Sequence, residues 1–138
     1  MHQPATPTPK PEPTAVPARA KGIQRIYKAF FYSMDGLAHA WHHETAVRQE
    51  LMWTALAVPA ALLIPGFAPV TRLILLLVIL LLPLVELLNS AIEAVVNKAS
   101  PEYHELAKQA KDMGSAAVLL AILMQAAAWG FAVWEMLK

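Results

Sequence analysis

Residues 81–100 read LLPLVELLNSAIEAVVNKAS and close one of the most hydrophobic runs in the chain. Glu86 and Glu93 sit in that run, with Asn89 and Ser90 between them. On insertion scales a charged side chain at the centre of a membrane helix costs about 2.5–3.5 kcal/mol. A helix that keeps two carboxylates has a use for them. Their seven-residue spacing separates them by about 20° around an α-helix and about 10 Å along it. Asn97 continues the same stripe, whereas the other faces are Leu, Ile, Val and Ala. The stripe is therefore expected to face protein. A seam of Asn and Ser hydrogen bonds between helices would account for the amides and the hydroxyl, but poorly for two acids.

The rest of the chain supplies the setting. Of 138 residues, 57% are hydrophobic and only 15% charged, with a mean hydropathy of +0.45. A soluble domain carries about a quarter charged residues, so the expected class is a small all-α integral membrane protein. A net charge of +1 gives no footprint for nucleic acid. The absence of cysteine excludes disulfides and thiol-based metal or redox chemistry. Residues 1–21 hold more than half of the eleven prolines and no apolar core. They read as a disordered, solvated tail rather than a signal peptide.

Residues 22–138 form the membrane domain. Over about 23–43, Ile23, Ile26, Tyr27, Phe30, Met34, Leu37 and Trp41 recur at three- and four-residue steps. This is one helical face, expected to lie in the membrane interface and contact its lipids. Three spans are expected to follow, over about 45–64, 72–97 and 114–137. The first ends at Pro65-Gly66, and Arg48 and Glu50 lie at its wet end. Ser100-Pro101-Glu102 reads as the N-cap and first turn of the last helix. Nine of the eleven Lys and Arg residues fall on the side of the N-terminus and the 97–114 connection; Arg72 and Lys138 fall on the other. By the positive-inside rule the first side is cytoplasmic.

Further polar groups converge on that side. Lys108, Lys111, Asp112 and Ser115 share one helical face, and Glu44 and Arg48 form an i, i+4 pair at the entry to the first span. Carboxylates are hard ligands for Mg²⁺, which also takes phosphate oxygens, and lysines are point charges for phosphates. A more deeply set carboxylate can deprotonate a hydroxyl. Together these residues describe phosphoryl transfer to a lipid alcohol, with the nucleotide held without a Gly-rich phosphate loop. His39 and His43 have a metal-pair spacing but no third ligand.

ELLNSAIEAVVN (86–97), followed by EYHELAKQAKDMGSAAV (102–118), closely resembles prokaryotic diacylglycerol kinase, a three-span enzyme of the bacterial inner membrane. RIYKAFFYSMDGLAHAWHHETAVRQE (25–50) resembles its surface helix and first-span entry. The resemblance implies a homotrimer with shared active sites that uses MgATP to convert diacylglycerol to phosphatidic acid. It makes Glu86 the general base and puts Mg²⁺ on Glu44 and Glu93. It implies that Arg25, Tyr32, Glu102, Tyr103, His104, Lys111 and Asp112 line the nucleotide site with those two glutamates. Ser33, Arg48, Glu50, Asn89 and Ser115 are expected to contact the lipid substrate or order the site. Val47 and Asn97 depart from the family's usual Phe and Asp. Undecaprenol as the lipid substrate, and a non-enzymatic helical bundle, are the competing readings.

Overall fold

The computed structural model describes residues 22–138; the tail expected over 1–21 lies outside the described residues. Four helices follow one another: α1 (Ile23–His43), α2 (Thr45–Leu63), α3 (Pro69–Ala99) and α4 (Glu105–Met136). The chain divides into two compact units between Met34 and Asp35. In the first, the apolar stripe of α1 is exposed, with Ile23 86% and Phe30 61% accessible. Tyr27 and Phe31 pack on that helix with ring centroids 4.7 Å apart.

In the second unit α3 packs against both α2 and α4. Its buried face is a heptad-like seam: Thr71, Leu75, Ile79, Pro83, Glu86 and Asn89 are buried, and Glu93 and Val96 half-buried. Steps of three and four keep one side of a helix against its neighbours. Beyond Thr71 the seam is apolar through Leu75, Ile79 and Pro83 and turns polar at Glu86 towards the α3–α4 connection. Leu75 and Ile79 close a core with Ala61, Phe67 and Ala132, flanked by Trp129. Facing it, α4 buries only Gly114, Ala121 and Ala132. Such small residues let helices approach closely where water supplies no hydrophobic drive.

Prolines set both helix ends in this unit. The residue before a proline is pushed out of the α region; Ile64, before Pro65, is extended at φ −63°, ψ 122°. Gly66 then takes φ +95°, open to glycine without strain. Ser100, before Pro101, likewise ends α3, with φ −136°. This corrects the expected start of the last helix: Ser100 is the C-cap of α3, not the N-cap of α4. The Ser100 hydroxyl donates to the Glu102 carbonyl, and α4 begins at Glu105, where His104 Nδ1 accepts from the Leu106 backbone N–H at 3.2 Å.

Two helices, α3 and α4, are long and apolar enough to cross a membrane. The expected first span, α2, is not one of them: Arg48, Gln49 and Glu50 occupy its early turns. Its 19 residues span about 28 Å at helical rise. The turn from α2 into α3 is clamped by Arg72, whose guanidinium donates to the carbonyls of Ala61 (3.0 Å), Leu62, Ile64 (2.9 Å) and Phe67 (3.3 Å). A cation there satisfies carbonyls left open at the C-terminus of α2.

Candidate active site

The α3–α4 connection and the first turns of α4 surround a pocket of about 340 Å³. Five of the expected nucleotide residues line it: Glu102, Tyr103, His104, Lys111 and Asp112. Because His104 uses Nδ1 to cap α4, Nε2 is the ring nitrogen left to donate. The Tyr103 hydroxyl donates to Glu105 Oε2 at 2.8 Å. That carboxylate pushes the phenol above its ordinary value, with burial and Asp112 acting in the same direction. Lys111 is half-buried. Lys108, grouped with Lys111 and Asp112 by helical face but not among the nucleotide residues that the resemblance implies, also lines the pocket and pairs with Asp112. Its i, i+4 spacing to Asp112 was visible, but not that the two close one wall of a pocket.

The carboxylates continue inward from this end. Glu86 is 7% and Asn89 8% exposed, and Ser90 and Glu93 are half-buried, so the polar stripe of α3 faces protein over these residues; Asn97, expected to continue it, is exposed. Asn89 Nδ2 donates to Glu93 Oε1 at 3.3 Å. Glu86 is within coulombic reach of both Glu93 and Glu44. Glu44 is the N-cap residue of α2, yet its side chain makes no capping hydrogen bond. Its carboxylate is therefore not consumed by the helix.

The expected Glu44–Arg48 ion pair is absent; among the described residues Lys108–Asp112 is the one ion pair. The Arg48 guanidinium instead donates to the Trp41 carbonyl at 3.2 Å and to the Thr45 hydroxyl at 3.4 Å. The two acceptors stand on either side of the turn between α1 and α2, Trp41 at the end of α1 and Thr45 at the start of α2, so the guanidinium ties the two helix ends together. Arg48 thus acts on backbone geometry.

Glu50 lines a separate pocket of about 440 Å³ between α2, α3 and α4, walled by Trp53, Leu56, Leu82, Gln125 and Trp129. Glu50 Oε2 and Gln125 Oε1 are buried there without a hydrogen-bond partner. Apolar walls with two polar acceptors suit an aliphatic ligand bearing a hydroxyl. Gln125, one polar residue in an apolar run, was the sequence signal for this pocket and was not singled out. Ser115 is exposed on α4 beside Gly114. In the first unit Arg25 and Tyr32 are exposed, and the Ser33 hydroxyl donates to the Ala29 carbonyl of its own helix at 2.9 Å. Among the described residues no three His, Asp or Glu side chains form a metal cluster by themselves. The His39 and His43 rings stack with centroids 4.5 Å apart.

Residues 31–133 match the family model described as prokaryotic diacylglycerol kinase. The chain is 49% identical over 114 residues to a diacylglycerol kinase of Escherichia coli strain K12, covering 83% of this chain and 93% of that one. It is 43% identical over 116 residues to one of Helicobacter pylori strain 26695, covering 83% and 89%. A Pseudomonas aeruginosa PAO1 diacylglycerol kinase is 42% identical over 108 residues, covering 78% and 87%.

Proposed function

The chain belongs to the prokaryotic diacylglycerol kinase family, and from that premise we propose that it phosphorylates diacylglycerol with ATP. The products are phosphatidic acid and ADP. The observation that carries this reading is one of placement. A pocket lined by Lys108, Lys111, His104 and Tyr103 lies at the end of α3 towards which the buried Glu86 and the half-buried Glu93 run. Hydrogen-bond donors suited to phosphate thus lie at the end of α3 whose last two turns hold Glu93, with Glu86 two turns further in.

Lys111 would bind the phosphates as a point charge, and His104 Nε2 as a hydrogen-bond donor. Lys108 neutralises Asp112, which lowers the repulsion that the carboxylate would exert on a polyphosphate. Glu44, with no capping bond, and Glu93, with one oxygen engaged by Asn89, each keep an oxygen for a cation. The donor set fits Mg²⁺, which takes one or two carboxylates with substrate phosphates. When bound, that ion would neutralise charge on the transferring phosphoryl group.

Glu86 lies about 10 Å deeper along α3 than Glu93, where a lipid hydroxyl but not a nucleotide is expected. It would accept the hydroxyl proton as the oxygen attacks the γ-phosphorus and the bond to ADP breaks. The apolar pocket at Glu50 supports an acyl chain next to that hydroxyl, and Glu50 is itself within coulombic reach of Glu86. Three spans, with α2 as the first, put the N-terminus and the 100–104 connection on the cytoplasmic face of the inner membrane. Exposed apolar residues on α4, among them Leu119, Leu123 and Phe131, leave surface for lipid and for two further copies in a homotrimer.

The test is purified full-length protein in micelles with labelled MgATP, offered diacylglycerol beside undecaprenol. Label in phosphatidic acid is the expected result. Label in the polyprenyl phosphate alone overturns the lipid assignment, and label in neither overturns the kinase reading.

A further inference from the structure

Gly114 stands on the face of α4 that packs against α3 and is buried. Inside a helix glycine is the poorest residue after proline, so its place near the polar end of the seam calls for a reason. A Cβ built there would overlap Asn89 Oδ1 and stand 3.3 Å from Asn89 Cγ. The other glycine of α4, Gly130, would meet nothing within 4 Å.

The Asn89 amide is 8% exposed and has no solvent to retreat into. Its Oδ1 has no hydrogen-bond partner, and its Nδ2 donates to Glu93 Oε1. The close approach of Gly114 and the bond to Glu93 are therefore two constraints on where the amide sits. We propose that Gly114 is a positioning residue: the gap left by its missing side chain seats the Asn89 amide, which orients the Glu93 carboxylate for the cation. The inference rests on the kinase reading, in which Glu93 is a metal ligand. Any side chain at 114 displaces the amide, and a displaced amide releases Glu93 to other rotamers. Because Asn89 and Glu93 are on α3 and Gly114 is on α4, the carboxylate is set by the packing of two helices.

The experiment uses full-length protein in micelles and compares Gly114→Ala, Asn89→Ala, the pair, Glu93→Gln and Gly130→Ala. Mn²⁺ affinity is read by electron paramagnetic resonance with a non-hydrolysable ATP analogue, alongside kcat and thermal unfolding. Gly114→Ala is expected to weaken Mn²⁺ at least about tenfold, and the pair to match Asn89→Ala within about threefold. With the amide gone, the added Cβ meets no side-chain oxygen. Gly130→Ala should behave as the parent. Parental Mn²⁺ affinity in Gly114→Ala, or losses that multiply in the pair, would overturn the positioning role. If Gly114→Ala does not fold, recovery of folding in the pair supports the slot and continued misfolding overturns it. Glu93→Gln separates the two levels. Parental Mn²⁺ affinity in that variant overturns the metal reading and this inference together; weakened affinity there with parental affinity in Gly114→Ala overturns the positioning role alone.

Discussion

The Thr71 hydroxyl donates to Glu135 Oε2 at 2.6 Å, joining the first turn of α3 to the last turn of α4. Thr71 is 4% exposed, and its partner is half-buried. Thr71→Val keeps the shape but leaves a partly buried carboxylate oxygen without its donor. The expected loss is about 1–3 kcal/mol of stability, read as a lower unfolding temperature, with Thr71→Ser close to the parent. Glu93 stands about 33 Å further along α3 by helical rise, so kcat at low temperature should not change. A large loss of kcat in folded Thr71→Val would mean that this joint reaches the site.

Arg72 should be the least replaceable basic residue outside the site. Its planar fork serves carbonyls at the end of α2 and in the following turn, a geometry that an ammonium cannot reproduce. Arg72→Ala is expected to cost about 2–3 kcal/mol, and Arg72→Lys to recover only part of it. Equal unfolding temperatures for Lys and Arg at 72 would show that charge alone matters there.

Glu86→Gln keeps size and hydrogen bonding but cannot take a proton. A general base contributes about 10²–10⁴ in rate, so kcat should fall at least about 10², with MgATP affinity and assembly nearly unchanged. A glutamate that serves packing alone would show the reverse, an altered unfolding temperature with a modest loss of kcat. Retention of more than about a tenth of kcat in well-folded protein rejects the assignment. Asp112 would then be the next candidate, although it is paired with Lys108.

Glu44→Gln and Glu93→Gln should share a phenotype. Each should impair MgATP use and respond to raised Mg²⁺ or Mn²⁺. The double variant should be far less than multiplicatively worse, since two ligands of one ion act as a unit. Multiplicative losses with no metal response would separate them.

Orientation can be read with single cysteines in a chain that has none of its own. Ala99→Cys, at the end of α3, should resist a membrane-impermeant thiol reagent in intact cells. Ala68→Cys, at the start of α3, should label. Labelling of the 99 position from outside reverses the assigned topology.

Much of this fold was legible in single segments. Apolar runs set α3 and α4 as candidate spans, and the seven-residue step of Glu86 and Glu93 put both on the inward face, where Glu86 is indeed buried. Pro65 ended α2 as expected. The same rule at Pro101 was misapplied: Ser100 was assigned to the helix after it, although a proline restricts the residue before it. That mistake moved the start of α4 by four residues and hid the capping role of His104.

What the chain order could determine by itself was periodicity, composition and proline position, each a property of neighbouring residues. Tertiary packing decided which groups pair. Arg48 turned from Glu44 to the Trp41 carbonyl, and Gln125 came to share an apolar pocket with Glu50. Gly114 came to lie against Asn89, and Thr71 met Glu135 across 64 positions. The physical reason is range. A helix period records which way a residue faces, but a hydrogen bond or a steric gap depends on the atoms that a distant segment brings within about 3–4 Å.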